Sequence, residues 1–124
     1  MLRQGPVPLF VHGLIEYAAG VLFVVAPWIL DFDSGAAKAA SIVVGVVILV
    51  VAAATDSPTG LAHTIPIKGH VVLDFVLAIV LIAAPFLFGF SDETNPTALF
   101  VTLGIVHLLL TIATRFLPRV STTS

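Results

Sequence analysis

Hydrophobic residues run through the chain in four long stretches, and charged, proline and glycine residues are concentrated between them. Stretches without Asp, Glu, Lys or Arg include residues 4–15, 39–55, 75–91 and 94–114. A helix that crosses a bilayer needs about 20 predominantly apolar residues. We therefore predict four transmembrane helices, at residues 8–30, 36–55, 68–90 and 96–117.

The second half of the chain repeats the pattern of the first half. An offset of 58 residues aligns His12 with His70, Glu16 with Asp74, and Pro27 with Pro85; an offset of 59 aligns Gly45 with Gly104 and Ala54-Thr55 with Ala113-Thr114. We predict one membrane domain over residues 1–124, with helix pairs at 8–55 and 68–117, a linker at 56–67 and a polar tail at 118–124. The fold class is all-α, a polytopic membrane protein with four transmembrane helices as two parallel tandem helical hairpins.

Local residue chemistry supports these helix limits. Asp33 and Ser34 precede the second helix and can cap it, while Asn95 and Pro96 are typical of an N-cap followed by a first-turn proline. Four aromatic residues lie near the hairpin loops, at the depth where aromatic rings favour the membrane interface. They are Trp28, Phe32, Phe86 and Phe90.

Basic residues are distributed unevenly between the two sides of the predicted bundle. Lys38 alone lies on the side of the two hairpin loops. The basic residues on the other side are Arg3, Lys68, Arg115 and Arg119. Because Lys and Arg are enriched in cytoplasmic loops, we expect a cell-membrane protein with both termini in the cytoplasm.

Composition narrows the classes of function. The chain is 59% apolar and 10% charged, whereas about 25% of residues are charged in an ordinary soluble domain. The absence of cysteine excludes a disulfide framework, a thiolate metal site and a cysteine nucleophile. The net charge of −2 gives no basic surface for nucleic acid, so we expect no nucleic-acid partner.

Two short segments carry a family resemblance. Ala26-Pro27-Trp28 and Ala84-Pro85-Phe86 each lie near the end of the first helix of a pair, and a glycine follows in each second helix, at Gly45 and Gly104. This arrangement resembles the SPW repeat family, with Ala in place of the family's Ser in both copies and Phe in place of Trp in the second. The resemblance implies a bacterial integral membrane domain without an established activity, and it supplies no catalytic residues.

The two internal prolines have a physical role of their own. Pro27 and Pro85 each lack a backbone donor and free the carbonyl four residues earlier, at Phe23 and Leu81. We predict that each proline bends its helix, and that the aromatic residue after it, Trp28 or Phe86, anchors the helix end at the interface. A gating hinge is the alternative.

Five ionisable residues fall within the predicted spans, where each costs about 2.5 to 3.5 kcal/mol near the centre of a membrane helix. They are His12, Glu16, His70, Asp74 and His107. The pairs at positions 12 and 16 and at positions 70 and 74 each share one helical face, because residues four apart are neighbours on a helix. Our hypothesis is that Glu16, Asp74 and His107 face one another, and that the other two histidines close the cytoplasmic mouth.

Three interpretations of this polar cluster remain open. It can fix helix packing through hydrogen bonds between the helices. Ser41 and Gly45, two small residues four apart on the second helix, can likewise support packing by allowing close helix approach. It can carry protons or ions. It can hold a metal or haem through His12, His70 and His107.

No Walker loop, dinucleotide-binding pattern, zinc-protease pair or nucleophile elbow is present, so we expect that the chain is not an enzyme. We predict a structural or accessory membrane scaffold without a cofactor. The expected partners are the lipid bilayer and either a second copy of the chain or another membrane protein. A proton-conducting or ion-conducting protein and a haem-binding or metal-binding protein are the alternatives.

Overall fold

A computed structural model describes residues 6–115. Its four helices are α1 (Leu9–Ile29), α2 (Gly35–Ala54), α3 (Ile67–Leu87) and α4 (Thr94–Ala113). Two short strands, β1 (Val7–Pro8) and β2 (Thr114–Arg115), pair in parallel. Arg3, Arg119 and the predicted tail at 118–124 lie outside the described residues.

All four helices are long and apolar enough to cross a membrane. Each has 20 or 21 residues, and most residues of each span lie on the outside of the bundle. Such a surface suits a hydrocarbon surrounding, in which a helix satisfies its own backbone hydrogen bonds. The predicted all-α membrane fold is confirmed.

The helices pack as two hairpins, α1 with α2 and α3 with α4. In the first hairpin the backbones approach closely at Gly20 and Gly45, since a Cβ on Gly45 would lie 2.6 Å from the Gly20 carbonyl oxygen. In the second hairpin Gly104 packs against Ala78 and Leu81 of α3. Small residues allow such contacts between membrane helices, where dispersion forces replace the hydrophobic effect.

The carbonyl that Pro27 frees has a specific partner. The hydroxyl of Ser41 on α2 donates a hydrogen bond of 2.5 Å to the backbone oxygen of Phe23 on α1. The position equivalent to Ser41 in the second hairpin is Phe100, which is fully buried and packs edge-to-face on Phe23 and Phe90. The two repeats therefore differ in chemistry at this position.

Two of the four predicted interface aromatics lie in the core. Phe32 and Phe90 are 3% and 2% exposed. Both follow a helix end, and the chain turns there so that their rings point back between the helices; Gly89, with a φ of +76°, forms the second turn. Trp28 and Phe86 are 68% and 67% exposed and point away from the bundle, so they are the residues available to the interface.

Helix ends differ from the prediction in the second repeat. α3 ends at Leu87 because the turn through Gly89 follows, and α4 ends at Ala113 because Thr114 enters the strand pair with Val7. Asn95 is not the N-cap of α4: Glu93 holds that position, and the Asn95 side chain donates to the Leu30 carbonyl. Ser34 caps α2 as predicted, by accepting from the Ala37 N–H.

The segment before α1 pairs with the residues that follow α4, and the segment before α3 pairs with the residue that follows α2. Val7, before α1, pairs with Thr114 after α4, and Ile65, before α3, forms a bridge with Thr55 after α2. These pairs are equivalent under the sequence repeat. They hold Thr55 and Thr114 at the same end of the bundle as the first turns of α3 and α1.

Candidate functional site

Four side chains from α1 and α3 form a ring in which imidazole nitrogens and carboxylates alternate. The Nε2 atom of His12 lies 3.1 Å from Asp74 Oδ2 and 3.3 Å from Glu16 Oε1. The Nε2 atom of His70 lies 3.1 Å from Asp74 Oδ1 and 2.9 Å from Glu16 Oε1. Each histidine therefore contacts the acid on its own helix and the acid on the other repeat. We call these four residues the ring.

The ring is buried inside the bundle. Its residues are between 0% and 5% exposed. One donor atom from each of the four side chains lies within 4.8 Å of the others. Burying charged groups in an apolar surrounding is costly unless they are paired or bind a metal, so the ring must hold protons or a cation to balance its carboxylates.

Two threonines orient the two ring histidines from outside. Thr114 Oγ1 lies 2.7 Å from His12 Nδ1, and Thr55 Oγ1 lies 2.6 Å from His70 Nδ1. Each contact runs between the repeats, and the two are equivalent under the repeat offset. The same hydroxyls also donate to the carbonyls four residues earlier, at Leu110 and Val51.

These threonines determine which imidazole nitrogen carries the proton. A carbonyl oxygen can only accept, so each threonine O–H is committed to its carbonyl, and its oxygen must accept from the Nδ1–H of the histidine. A neutral imidazole then has its lone pair on Nε2. In both histidines that lone pair points at the carboxylates, an arrangement that is stable only with a proton or a cation between them.

His107 is a third imidazole at the edge of the ring. Its Nε2 atom lies 3.3 Å from Asp74 Oδ1 and is buried. Within residues 6–115 this atom makes no hydrogen bond of acceptable geometry. The equivalent position in the first repeat is Ile48, so only one side of the ring has this additional donor.

Two crevices, equivalent under the repeat, flank the ring and differ in size. The crevice between α2 and α3 has a volume of about 290 Å³ and mostly apolar walls, and Glu16 and Asp74 are among its lining residues. The crevice between α1 and α4, which Ile48, Leu77 and Leu81 also line, has a volume of about 60 Å³. Val47, Ile48 and Leu77 line the larger crevice. The residues at the equivalent positions of the other repeat, Val106, His107 and Ala19, line the smaller one. The imidazole of His107 thus lies in the smaller crevice.

The structure brings all five predicted polar residues together, but in a different arrangement from the hypothesis. His12 and His70 do not form a separate layer at a mouth; they alternate with the acids in one ring. The reason is the direction of helical side chains, which lean toward the N-terminus. The carboxylates at positions 16 and 74 therefore reach back to the level of the histidines one turn earlier.

The other predicted site residues lie away from the ring. Pro27 and Pro85 are buried near the opposite ends of α1 and α3, with Trp28 and Phe86 beside them on the outer surface. Ser41, Gly45 and Gly104 lie in the contacts within the hairpins. These residues shape the bundle and contribute no donor to the ring.

Sequence reasoning missed the two threonines and Glu93. The sequence did contain a pattern that could have indicated the threonines, because the second helix of each repeat is followed by the same Ala-Thr pair. Glu93 accepts from the backbone N–H groups of Asp33 and Ser34 at 2.6 and 2.9 Å, and so joins the two hairpin loops. Its neighbours in space are about 60 residues away in sequence, and no local pattern indicates them.

The family model of the SPW repeat domain matches residues 10–114. The chain is an SPW repeat protein. A search of curated proteins and a search of solved structures found no match to it. The matched region of this SPW repeat protein includes the whole ring, both orienting threonines and His107.

Proposed function

We propose that this small integral membrane protein binds one divalent transition-metal ion in the ring formed by His12, Glu16, His70 and Asp74. The observation that carries the proposal is the placement of the two Nε2 atoms beside two carboxylates, with each Nδ1 atom in contact with a threonine hydroxyl. Imidazole nitrogen and carboxylate oxygen together are a donor set for metals such as zinc, iron and manganese.

The distances in the ring fit a shared ion. Neighbouring donors bonded to one metal at about 2.0–2.2 Å lie roughly 3 Å apart. The four nitrogen–oxygen contacts of the ring, which involve both oxygens of Asp74, measure between 2.9 and 3.3 Å. A metal-ligating histidine ordinarily donates its other N–H to a protein oxygen, which fixes the ring orientation. Thr55 and Thr114 supply that oxygen here.

Charge also favours a divalent cation. The two carboxylates carry two negative charges at a depth where water does not compensate them. One divalent ion and two neutral imidazoles leave the ring uncharged. We do not extend the proposal to haem, because the carboxylates of Glu16 and Asp74 lie between the imidazoles that a macrocycle would have to separate.

Metal analysis of the purified protein tests the proposal. The chain is purified in detergent without an affinity tag that binds metal, loaded with a divalent metal and dialysed. We expect about one tightly held ion per chain in the wild type, and background content in a double variant with Glu16→Gln and Asp74→Asn. Helical circular dichroism of the double variant provides the folding control. A wild-type chain that retains no more metal than the double variant would overturn the proposal and leave packing or proton transfer.

We further propose an accessory role in the cell membrane, without catalysis and with both termini in the cytoplasm. Lys68 lies in the first turn of α3, at the same end of the bundle as the last residue of α4, which agrees with a cytoplasmic side there. Because the chain has no cysteine, single cysteines at Gly35 and Leu61 can test the orientation by labelling in whole cells. We expect labelling from outside at Gly35 only, and labelling at Leu61 only would reverse the orientation.

The partner of such an accessory protein is either a second copy of the chain or another membrane protein. Cross-linking in the native membrane followed by mass spectrometry tests this part of the proposal. A reproducible cross-linked species supports it. Turnover of a substrate by the purified chain alone would contradict the non-catalytic role.

A further inference from the structure

We propose that a pocket at the hairpin-loop end of the first repeat binds the headgroup of a zwitterionic phospholipid, and that phosphatidylethanolamine is the lipid that fits it. The pocket lies where α1 ends and α2 begins, at the opposite end of the bundle from the ring. The proposal is therefore independent of the metal site, and it gives the protein a lipid-binding surface in addition.

The pocket combines apolar and charged walls at the depth of the lipid headgroups. It has a volume of about 290 Å³, close to the lower limit of about 300 Å³ for ligand pockets. Trp28, which is 68% exposed, lines it, and tryptophan favours the headgroup level of a bilayer. The other apolar residues that shape it include Pro27 and Ile42, and the charged ones are Asp31, Asp33 and Lys38.

Both signs of charge are available in this pocket. Asp31, Asp33 and Lys38 are exposed, and within residues 6–115 none of these side chains forms an ion pair with another. An ethanolamine headgroup carries an ammonium and a phosphate, so the ammonium can donate to a carboxylate while Lys38 donates to the phosphate. A purely anionic headgroup would instead place like charges beside the two aspartates, which disfavours its binding.

The charged residues of the pocket depart from the sequence repeat. The equivalent residues of the second repeat are uncharged: Gly89, Ser91 and Thr97. Asp31 also has a left-handed φ of 52°, where the second repeat has a glycine with a φ of 76°. A side chain at positive φ is less favourable than glycine there, and such conformations concentrate at functional sites. The first repeat thus retains a carboxylate where glycine would be easier to accommodate, as a ligand-binding role requires.

Fluorescence quenching tests the proposal, because Trp28 is the only tryptophan of the chain and lines the pocket. The purified chain is reconstituted in bilayers of phosphatidylethanolamine and phosphatidylglycerol, with one or the other lipid brominated near the headgroup end of its acyl chains. Bromine quenches tryptophan on contact, so the ratio of the two quenching values measures which lipid occupies the pocket.

Two variants and a matched control locate the effect. Asp31→Asn removes one charge and preserves the turn, because asparagine tolerates the left-handed conformation. Lys38→Gln removes the opposite charge and lies within α2. Asp92→Asn is the control, since Asp92 is an exposed acid of the other hairpin loop and does not line the pocket. Helical circular dichroism of each variant reports folding.

We expect a several-fold preference for phosphatidylethanolamine in the wild type and in Asp92→Asn, and a preference that falls toward one in Asp31→Asn and in Lys38→Gln. Equal quenching by the two lipids in the wild type, or stronger quenching by phosphatidylglycerol, would overturn the proposal. A preference that both pocket variants retain, or that the control loses to the same extent, would also overturn it, because the selectivity would then come from the bundle surface and not from the pocket.

Discussion

The Nε2 atom of His12 lies 3.1 Å from Oδ2 of Asp74, 62 residues later in the other repeat. His70 makes the equivalent contact with Glu16 at 2.9 Å. Each helix hairpin packs mainly within itself, and these crossed contacts join the two halves together with an apolar core to which both contribute. The ring is therefore both the candidate binding site and a buried polar link between the repeats.

The two acids of the ring are not equivalent, and this allows a matched comparison. Asp74 lies within 3.3 Å of three imidazole nitrogens, whereas Glu16 lies within 3.3 Å of two in the described residues. We predict that Asp74→Asn lowers metal content more than Glu16→Gln, because it removes the carboxylate shared by all three histidines. Metal content and competition with a chelator provide the measurement. Equal losses in the two variants would contradict this difference between the two acids.

We predict that replacing either orienting threonine weakens metal binding without removing a ligand. Thr55→Val or Thr114→Val deletes the oxygen that accepts the histidine Nδ1–H, and loss of such a supporting contact costs about 10–100-fold in metal affinity. Thr55→Ser and Thr114→Ser retain the hydroxyl and are expected to bind nearly as the wild type does. Affinities from chelator competition decide this, and serine variants as weak as the valine variants would remove the hydroxyl from the argument.

The sequence was sufficient to predict the helices and their pairing, and insufficient for the ring. Length and hydropathy specify four spans because a bilayer imposes both, and the repeat indicates two hairpins. The contact between His12 and Asp74 depends on how α1 and α3 are rotated about their axes, which hydropathy does not encode when every face is apolar. The hypothesis also placed His12 and His70 at a mouth apart from the acids, because it did not take account of the direction in which helical side chains lean.

Ser41→Ala tests the hydrogen bond to the backbone carbonyl of Phe23, which Pro27 leaves without its usual backbone donor. Without the hydroxyl, the backbone oxygen of Phe23 loses its 2.5 Å hydrogen bond inside the first hairpin. We predict a loss of about 0.5–2 kcal/mol in the free energy of unfolding, the range for polar contacts between membrane helices. Metal content is expected to stay unchanged, because Ser41 lies away from the ring. A measurement of unfolding in detergent together with metal analysis separates the two properties.

Three glycines provide a graded test of helix approach. A Cβ on Gly45 would meet backbone atoms of Gly20 and Val24 at 2.6–2.7 Å, whereas a Cβ on Gly104 would meet the flexible Ile82 side chain at 2.7 Å, and nothing lies within 4 Å of a Cβ on Gly35. Forced overpacking costs about 1–3 kcal/mol. We predict destabilisation in the order Gly45→Ala, Gly104→Ala, Gly35→Ala, with the last near zero. The free energies of unfolding provide the test, and a larger loss for Gly35→Ala than for Gly45→Ala would contradict the packing described for α1 and α2.

Metal binding should release protons. Without a metal, the lone pairs on Nε2 of His12 and His70 face carboxylates, so protons must lie between these atoms to hold the ring together. A divalent ion replaces those protons, because metal ligands bind in their deprotonated form. We therefore predict that the apparent metal affinity falls as pH falls and that binding releases about two protons per ion, the number that keeps the ring neutral. Calorimetric titrations in buffers of different ionisation enthalpy measure the number, with the double variant of Glu16→Gln and Asp74→Asn as the control. An affinity that does not change between acidic and neutral pH would show that the ring holds no exchangeable protons, and would contradict the lone-pair arrangement from which the metal site is inferred.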